Sequence, residues 1–200
     1  MMQDSTYRSY TVQTPNAELP VTLERTRQHL RNEDLGHDDE YLRGVIRAAC
    51  GMVETVYGIA LLTQTIKQYH ANFPCSDGQP LMLRITPLVS ITSITYLDSA
   101  GATQTWSASE YNTGSYNGRY FVTPKVDYTW PADVATDQPN AVTVTYSAGY
   151  GAKPSNIPHF ITQGLLMEIA HQYGAGRDNP VRTMSTAAEY YLQPLYRFSC

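Results

Sequence analysis

Three stretches hold residue types that could do chemistry. In SAGYGAKPSN, residues 147–156, Gly149, Gly151 and Lys153 lie between a strand pattern and a helix pattern. Phosphate-binding loops are built in that order, but they need G-x-x-x-x-G-K-[ST] so that successive amides wrap the phosphates and the lysine reaches them. Here the glycines are two apart and Lys153 precedes Pro154. Pro154 and Pro158 also remove amide donors where a cradle would need them. The spacing predicts a tight exit from a sheet. In HDDE, residues 37–40, one imidazole and three carboxylates could hold a cation, although acidic residues at a helix start are explained by the helix dipole alone. Glu168 and His171 lie one helical turn apart and could exchange a proton. As a solvated or interface pair they need no catalytic role.

The remaining candidates carry no recognised motif. The five histidines form neither H-x-x-x-H nor H-E-x-x-H, and no G-x-S-x-G nucleophile elbow is present. Cys50, Cys75 and Cys200 match no zinc or redox spacing. They read as free thiols in a reducing compartment, with Cys50 as a small buried hydrophobe. The expectation is no catalytic residue, no metal and no cofactor.

Composition narrows the function classes further. Lys and Arg total 14 against 18 Asp and Glu, so the net charge of −4 argues against wrapping nucleic acid. The cations are scattered, without the basic–aromatic interleave that tracks a single strand. Charged residues are only 16% of the chain, against about 25% in an ordinary soluble domain. Sixteen tyrosines stand out, and they suit either interfaces or a tyrosine-rich β region. There is no apolar run long enough to span a membrane, and MMQDSTYRSYTVQTP lacks the apolar region of a secretory signal.

The elements that would position these residues follow from periodicity. Residues 1–18 read as a polar arm with Tyr7, Tyr10 and Val12 as its main apolar anchors, disordered or lying on a neighbour. A helix is predicted from a Thr22 cap to about Arg31. A second helix carries Leu42, Val45, Ile46, Ala49, Val53, Val56 and Tyr57 at helical spacing and ends at Gly58. Its opposite face holds Glu40, Arg43, Gly44, Arg47, Gly51 and Glu54. Two glycines there cost about 1 kcal/mol each relative to alanine, so close approach by another surface is one reason for them.

From residue 62 to 150 the pattern changes to short strands and turns, which predicts an antiparallel insertion. LTQTIKQYHANF is one strand candidate, and LMLRI alternates Leu81, Leu83 and Ile85. The alternation in SITSITYL slips at Ser93, as at a bulge. DSAG reads as a turn, Asn117-Gly118 as a hairpin, and AVTVTYS places Val142, Val144 and Tyr146 on one face. Helix returns with Pro158 at its first position. Ile161, Leu165, Leu166, Ile169 and Tyr173 form one stripe, and Phe160, Gly164, Met167 and His171 gather opposite. A helix apolar on two faces is buried or shared with a partner. A last helix starts at Ser185 or Thr186, with Pro194 expected to interrupt it. The fold class is therefore α+β: two N-terminal and two C-terminal helices forming a small bundle, with an inserted antiparallel β subdomain. The pieces divide as 1–18, 19–61, 62–150, 151–185 and 186–200.

Six of these pieces, in order, are PVTLERTRQHLR, DDEYLRGVIRAACGMVETVYGIALLTQT, LMLRITPLVSITSITYLDSAG, AVTVTYSAGYG, IPHFITQGLLMEIAHQYGAGRDNPV and YYLQPLYR. Together, from about residue 19 to 197, they resemble the head–tail connector, or adaptor, proteins of tailed double-stranded DNA bacteriophages and prophages, in the branch with a β insertion. Ile59 departs from the pattern, since the family often has Arg after the helix-ending glycine. The resemblance implies a virion neck protein, made in the host cytoplasm and assembled as a ring, commonly dodecameric, under the portal. Such a ring extends the channel for passing double-stranded DNA and presents a surface to the next neck, stopper or tail protein. It also implies that Thr186 to Cys200 reaches the portal protein, with Tyr190, Tyr191, Leu195, Tyr196 and Phe198 as anchors. On that view deleting residues 186–200 leaves a folded protein. A closed ring needs one patch on each flank, and Gly44, Arg47, Gly51, Phe160 and Met167 are the candidates. Two rival readings are a tail-tip binding module using the tyrosine-rich insert and a small hydrolase using Glu168 and His171.

Overall fold

The computed structural model describes residues 9–14, 17–31, 39–76, 78–175 and 183–196. The chain forms two compact units, each assembled from two stretches of sequence: residues 16–63 with 150–200, and residues 1–15 with 64–149. The class is α+β, with helices in one unit and antiparallel strands in the other.

In the helical unit, α1 (Leu23–Leu30) begins where the Thr22 hydroxyl accepts the Arg25 N–H at 3.2 Å, and it ends on Arg31 at φ 52°. α2 (Asp39–Tyr57) buries Leu42, Val45, Ile46, Ala49, Val53 and Tyr57, while Val56 falls at the edge of the stripe and stays exposed. Gly58 stops it at φ 62°, and the Ile59 N–H closes back on the Glu54 carbonyl at 3.2 Å. That is a Schellman cap, which needs the left-handed conformation glycine adopts without strain. Ile59 itself is packed in the helical core.

α3 (His159–Ala175) starts one residue later than the sequence predicts: Pro158 precedes it, and its carbonyl accepts the Ile161 and Thr162 N–H groups. Ile161, Leu165, Leu166 and Ile169 are buried. α4 (Thr186–Tyr196) is capped by the Ser185 hydroxyl, which accepts the Ala188 N–H at 3.0 Å. It buries Ala188, Leu192 and Leu195 at helical spacing. Pro194 does not interrupt it. The amide it lacks would have bonded the carbonyl of Tyr190, a residue on the exposed side of the helix. α3 and α4 pack so closely that a Cβ added at Gly164 would lie 2.7 Å from Cγ of Leu192. Removing residues 186–200 would strip the buried Ala188, Leu192 and Leu195 from this core, so the truncated protein should be destabilised rather than fold unchanged.

In the β unit, β1 (Ser9–Thr14), β2 (Gln64–His70), β4 (Leu88–Leu97), β5 (Thr103–Trp106) and β8 (Val142–Ala148) form one sheet in the order β1-β2-β8-β4-β5. β3 (Leu81–Met82), β6 (Tyr111–Tyr116) and β7 (Arg119–Pro124) form a second, ordered β3-β7-β6. Every pairing is antiparallel. β4 shifts register between Ile91 and Ser93, where its alternation slips. Asn117 and Gly118, at φ 49° and 74°, turn β6 into β7. β1 corrects the reading of residues 1–18 as an arm: Ser9–Thr14 pairs along β2, and Tyr10 lies under the Arg84 guanidinium at 5.4 Å. Residues 1–8, Tyr7 among them, lie outside the described residues.

β3 is shorter than LMLRI because the Arg84 N–H leaves the ladder and donates to Gln68 Oε1 at 2.8 Å. Gln68 is fully buried and spends its whole hydrogen-bonding capacity. Oε1 also accepts the Tyr146 hydroxyl at 3.1 Å, and Nε2 donates to the Met82 carbonyl and to His70 Nε2 at 2.9 and 2.8 Å. Tyr146 in turn accepts the Ile85 N–H at 3.1 Å. Burial pushes its phenol far up, so it remains a donor at any physiological pH. The opposite face of this sheet carries hydroxyls in register. Thr11, Lys67, Thr145 and Ser93 make one row, and Tyr69, Thr143, Thr95 and Thr105 the next. The aromatic rings of Phe73, Trp106 and Trp130 meet at centroid distances of 5.0 to 5.7 Å, which puts both tryptophans of the chain in this unit.

Candidate functional site

The glycine loop is committed to the fold. Gly149 donates to the Pro87 carbonyl, the Gly151 carbonyl accepts the Thr63 N–H at 2.9 Å, and the Lys153 N–H donates to Asn156 Oδ1 at 3.1 Å. A Cβ at Gly151 would come within 2.5 Å of the Asn156 side chain, so the glycine makes room for that turn. These amides and carbonyls have fold partners, and the nucleotide-loop spacing is absent.

Glu168 and His171 do not form the pair their spacing suggested. His171 is exposed, whereas Glu168 is fully buried. The Glu168 carboxylate accepts Gln172 Nε2 at 2.9 Å and the Ser185 N–H at 2.8 Å. Its work is structural: it ties α3 to the N-terminus of α4, where a negative charge is favoured. Of HDDE, His37 and Asp38 lie outside the described residues, and Asp39 forms an ion pair with Arg27. Among the described residues no group of three or more His, Cys, Asp or Glu is placed to hold a metal, and no helix is long and apolar enough to cross a membrane. Cys50 is buried in the helical core, and its thiol is pushed up first by burial and then by the Glu54 charge. Cys75 is exposed.

Glu54 accepts the Leu61 N–H at 2.8 Å, and burial raises its carboxyl above the ordinary range despite that bond. A raised folded value favours the neutral form, so this group adds stability below pH 4.5, its ordinary value, and loses it as pH climbs through the raised value. Glu54→Gln keeps the acceptor and removes the charge. It should be more stable than the wild type at neutral pH and lose that advantage near pH 4 (about the ordinary carboxylate range), as read from urea midpoints at the two pH values.

The faces proposed from sequence sort differently once burial is known. Gly44, Arg47 and Gly51 are exposed on the outer side of α2. Among the described residues no atom lies within 4 Å of a Cβ added at either glycine, so none of them requires glycine there. Phe160 and Met167 are half-buried and packed against the helical core. Tyr190 and Tyr191 project from α4 at 74% and 37% exposure, with ring centroids 5.8 Å apart and edge to face. Leu195 is fully buried and holds α4 to the core, so it leaves the set of exposed anchors. Its spacing from Ala188 and Leu192 was the sequence signal for that. The Tyr196 side chain and Phe198 lie outside the described residues.

No family model and no curated protein matches the chain. Solved structures do match. A chain of the virion of a native gene transfer agent particle is 21% identical over 92% of this chain and 93% of its own, with a TM-score of 0.76. A chain from the neck of an empty gene transfer agent particle, computed with C6 symmetry, is 20% identical over 94% of both chains, with a TM-score of 0.77. One from the neck of the native particle, computed with C12 symmetry, is 20% identical over 94% of both and scores 0.66. At this identity the likeness establishes a shared fold that runs through the helices and the β insertion alike.

Proposed function

We propose that this chain is a structural neck protein of a phage-like particle: a head–tail adaptor that forms a ring, commonly of twelve copies, below the portal. The ring extends the DNA channel without reading sequence, and it docks the next neck, stopper or tail protein. The observation that carries this reading is the shared fold over 94% of both chains with a neck chain of a gene transfer agent particle. The C6 and C12 symmetries of those necks support a ring. The role is assembly rather than catalysis. Gold-labelled antibody against this chain should mark the neck of intact particles. Label at the tail tip would instead favour the binding-module reading and overturn this one.

Two flanks serve the ring on this reading, the Gly44–Arg47–Gly51 face of α2 and the Phe160–Met167 side of α3. Alanine at both glycines should stabilise the isolated protein by about 1 kcal/mol per site while impairing ring assembly, as measured by thermal melts and sedimentation. A double variant that still forms rings normally would remove this face from the interface. Tyr190 and Tyr191 are the portal anchors. Tyr190→Ala with Tyr191→Ala should weaken portal binding about tenfold or more, the effect of losing a paired aromatic hot spot. Stability should shift by no more than about 0.5 kcal/mol, as for exposed positions. Unchanged binding would assign the portal contact elsewhere.

A further inference from the structure

The outward face of the five-stranded sheet differs in chemistry from the rest of the chain. Eighteen Asp and Glu are spread over the sequence, yet none lies in β1, β2, β4, β5 or β8. Lys67 stands between Thr11 and Thr145 on this face, and Tyr69, Thr143 and Thr95 form the adjacent row. None of these six side chains is buried. They present hydroxyls around a single cation, with Thr11 and Tyr69 hydrogen-bonded to each other at 3.3 Å, and the buried Gln68–Tyr146 network lies behind them.

Resting on the neck reading above, we propose that this face is the surface that meets the phosphate backbone of double-stranded DNA as it passes. A hydroxyl can donate to a phosphate oxygen without carrying charge. Carboxylates would repel the polyanion, and this face has none. Dense Lys and Arg would hold it, because each neutralised phosphate adds affinity through counterion release. One lysine per subunit gives a contact that admits DNA and lets it move. The chemistry fits a protein partner poorly. Serine is depleted in interfaces, and serine and threonine are under-represented among hot spots. The large aromatic and Arg anchors of a hot spot are absent here, apart from Tyr69.

The test is photocrosslinking in assembled particles. A benzophenone side chain is introduced at position 145, in the middle of the face. The same probe at position 11, on the edge strand, serves as a second site in case bulk at the centre prevents folding. Particles are irradiated, and the adduct is digested separately with nuclease and protease. DNA adducts at either position, absent with the probe at position 190, are the expected result. Particles that contain the chain but yield only protein adducts, or none, would overturn the assignment and leave the neck reading standing. Wild-type particles from which the chain is missing would overturn both. As a second measurement, Lys67→Glu should lower DNA delivery, normalised to the number of particles that contain the chain, about tenfold or more. Unchanged delivery would count against the proposal.

Discussion

Gln68→Leu should destabilise the β unit by about 3 kcal/mol or more. Each buried group left without a partner costs about 1–3 kcal/mol, and this substitution orphans several at once. The Arg84 N–H, the Tyr146 hydroxyl, the Met82 carbonyl and the His70 ring nitrogen all bond the Gln68 amide. Leucine matches the volume and returns none of those bonds, so added apolar burial does not compensate. Tyr146→Phe should cost less, about 1–2 kcal/mol, because it removes one hydroxyl that serves Ile85 and Gln68. The molecule supplies its own reporter: Trp106 and Trp130, its two tryptophans, both lie in this unit. Urea unfolding followed by their fluorescence reads this unit selectively. A Gln68→Leu midpoint within about 0.5 kcal/mol of the wild type, the range of an ordinary surface change, would show that the network adds no stability.

Gly164→Val is the corresponding expectation in the helical unit, with a loss of about 2–3 kcal/mol. The Cβ it adds would sit 2.7 and 2.8 Å from Cγ and Cδ2 of Leu192, well inside contact distance. Leu192 is itself fully buried, so it has little room to turn away. The strain should push α4 off α3. Leu192→Ala alone should cost about 2–5 kcal/mol as a cavity. Because the new valine would fill part of that cavity, the double variant should be less destabilised than the sum of the singles. Far-UV circular dichroism melts of the three variants measure this coupling. Strict additivity would mean that the two positions do not press on each other.

What was legible in the sequence was what neighbours in sequence decide. The α2 stripe, the Thr22 cap, the Gly58 stop, the Asn117-Gly118 hairpin and the slip at Ser93 all signal through residues a few positions apart. The features that were missed depend on distant partners. β1 has the alternation of Tyr10 and Val12, but an edge strand is recognisable only once β2 is known to lie beside it. Glu168 looked solvated because its partner Ser185 belongs to another helix. Gly164 looked like one more small residue on an apolar face, although its reason is the approach of Leu192. Pro194 has the sequence signature of a breaker, and its place one turn after exposed Tyr190 shows only in the fold. Of the candidate faces, the outer glycines of α2 followed from helical spacing. Leu195 was misassigned because a tail expected to reach a partner obscured its own core spacing.

The β insertion begins and ends on paired strands: Gln64 lies opposite Ala148 in the ladder of β2 and β8. On the helical side the same junction is closed by the Thr63 N–H and the Gly151 carbonyl. To the helices, eighty-odd residues of sheet therefore amount to a short clasped turn, and lengthening such a connection costs little in chain entropy. A gene encoding this architecture can lengthen or redecorate the sheet between Gln64 and Ala148 at little cost to chain closure, provided β2 keeps its pairing with β1.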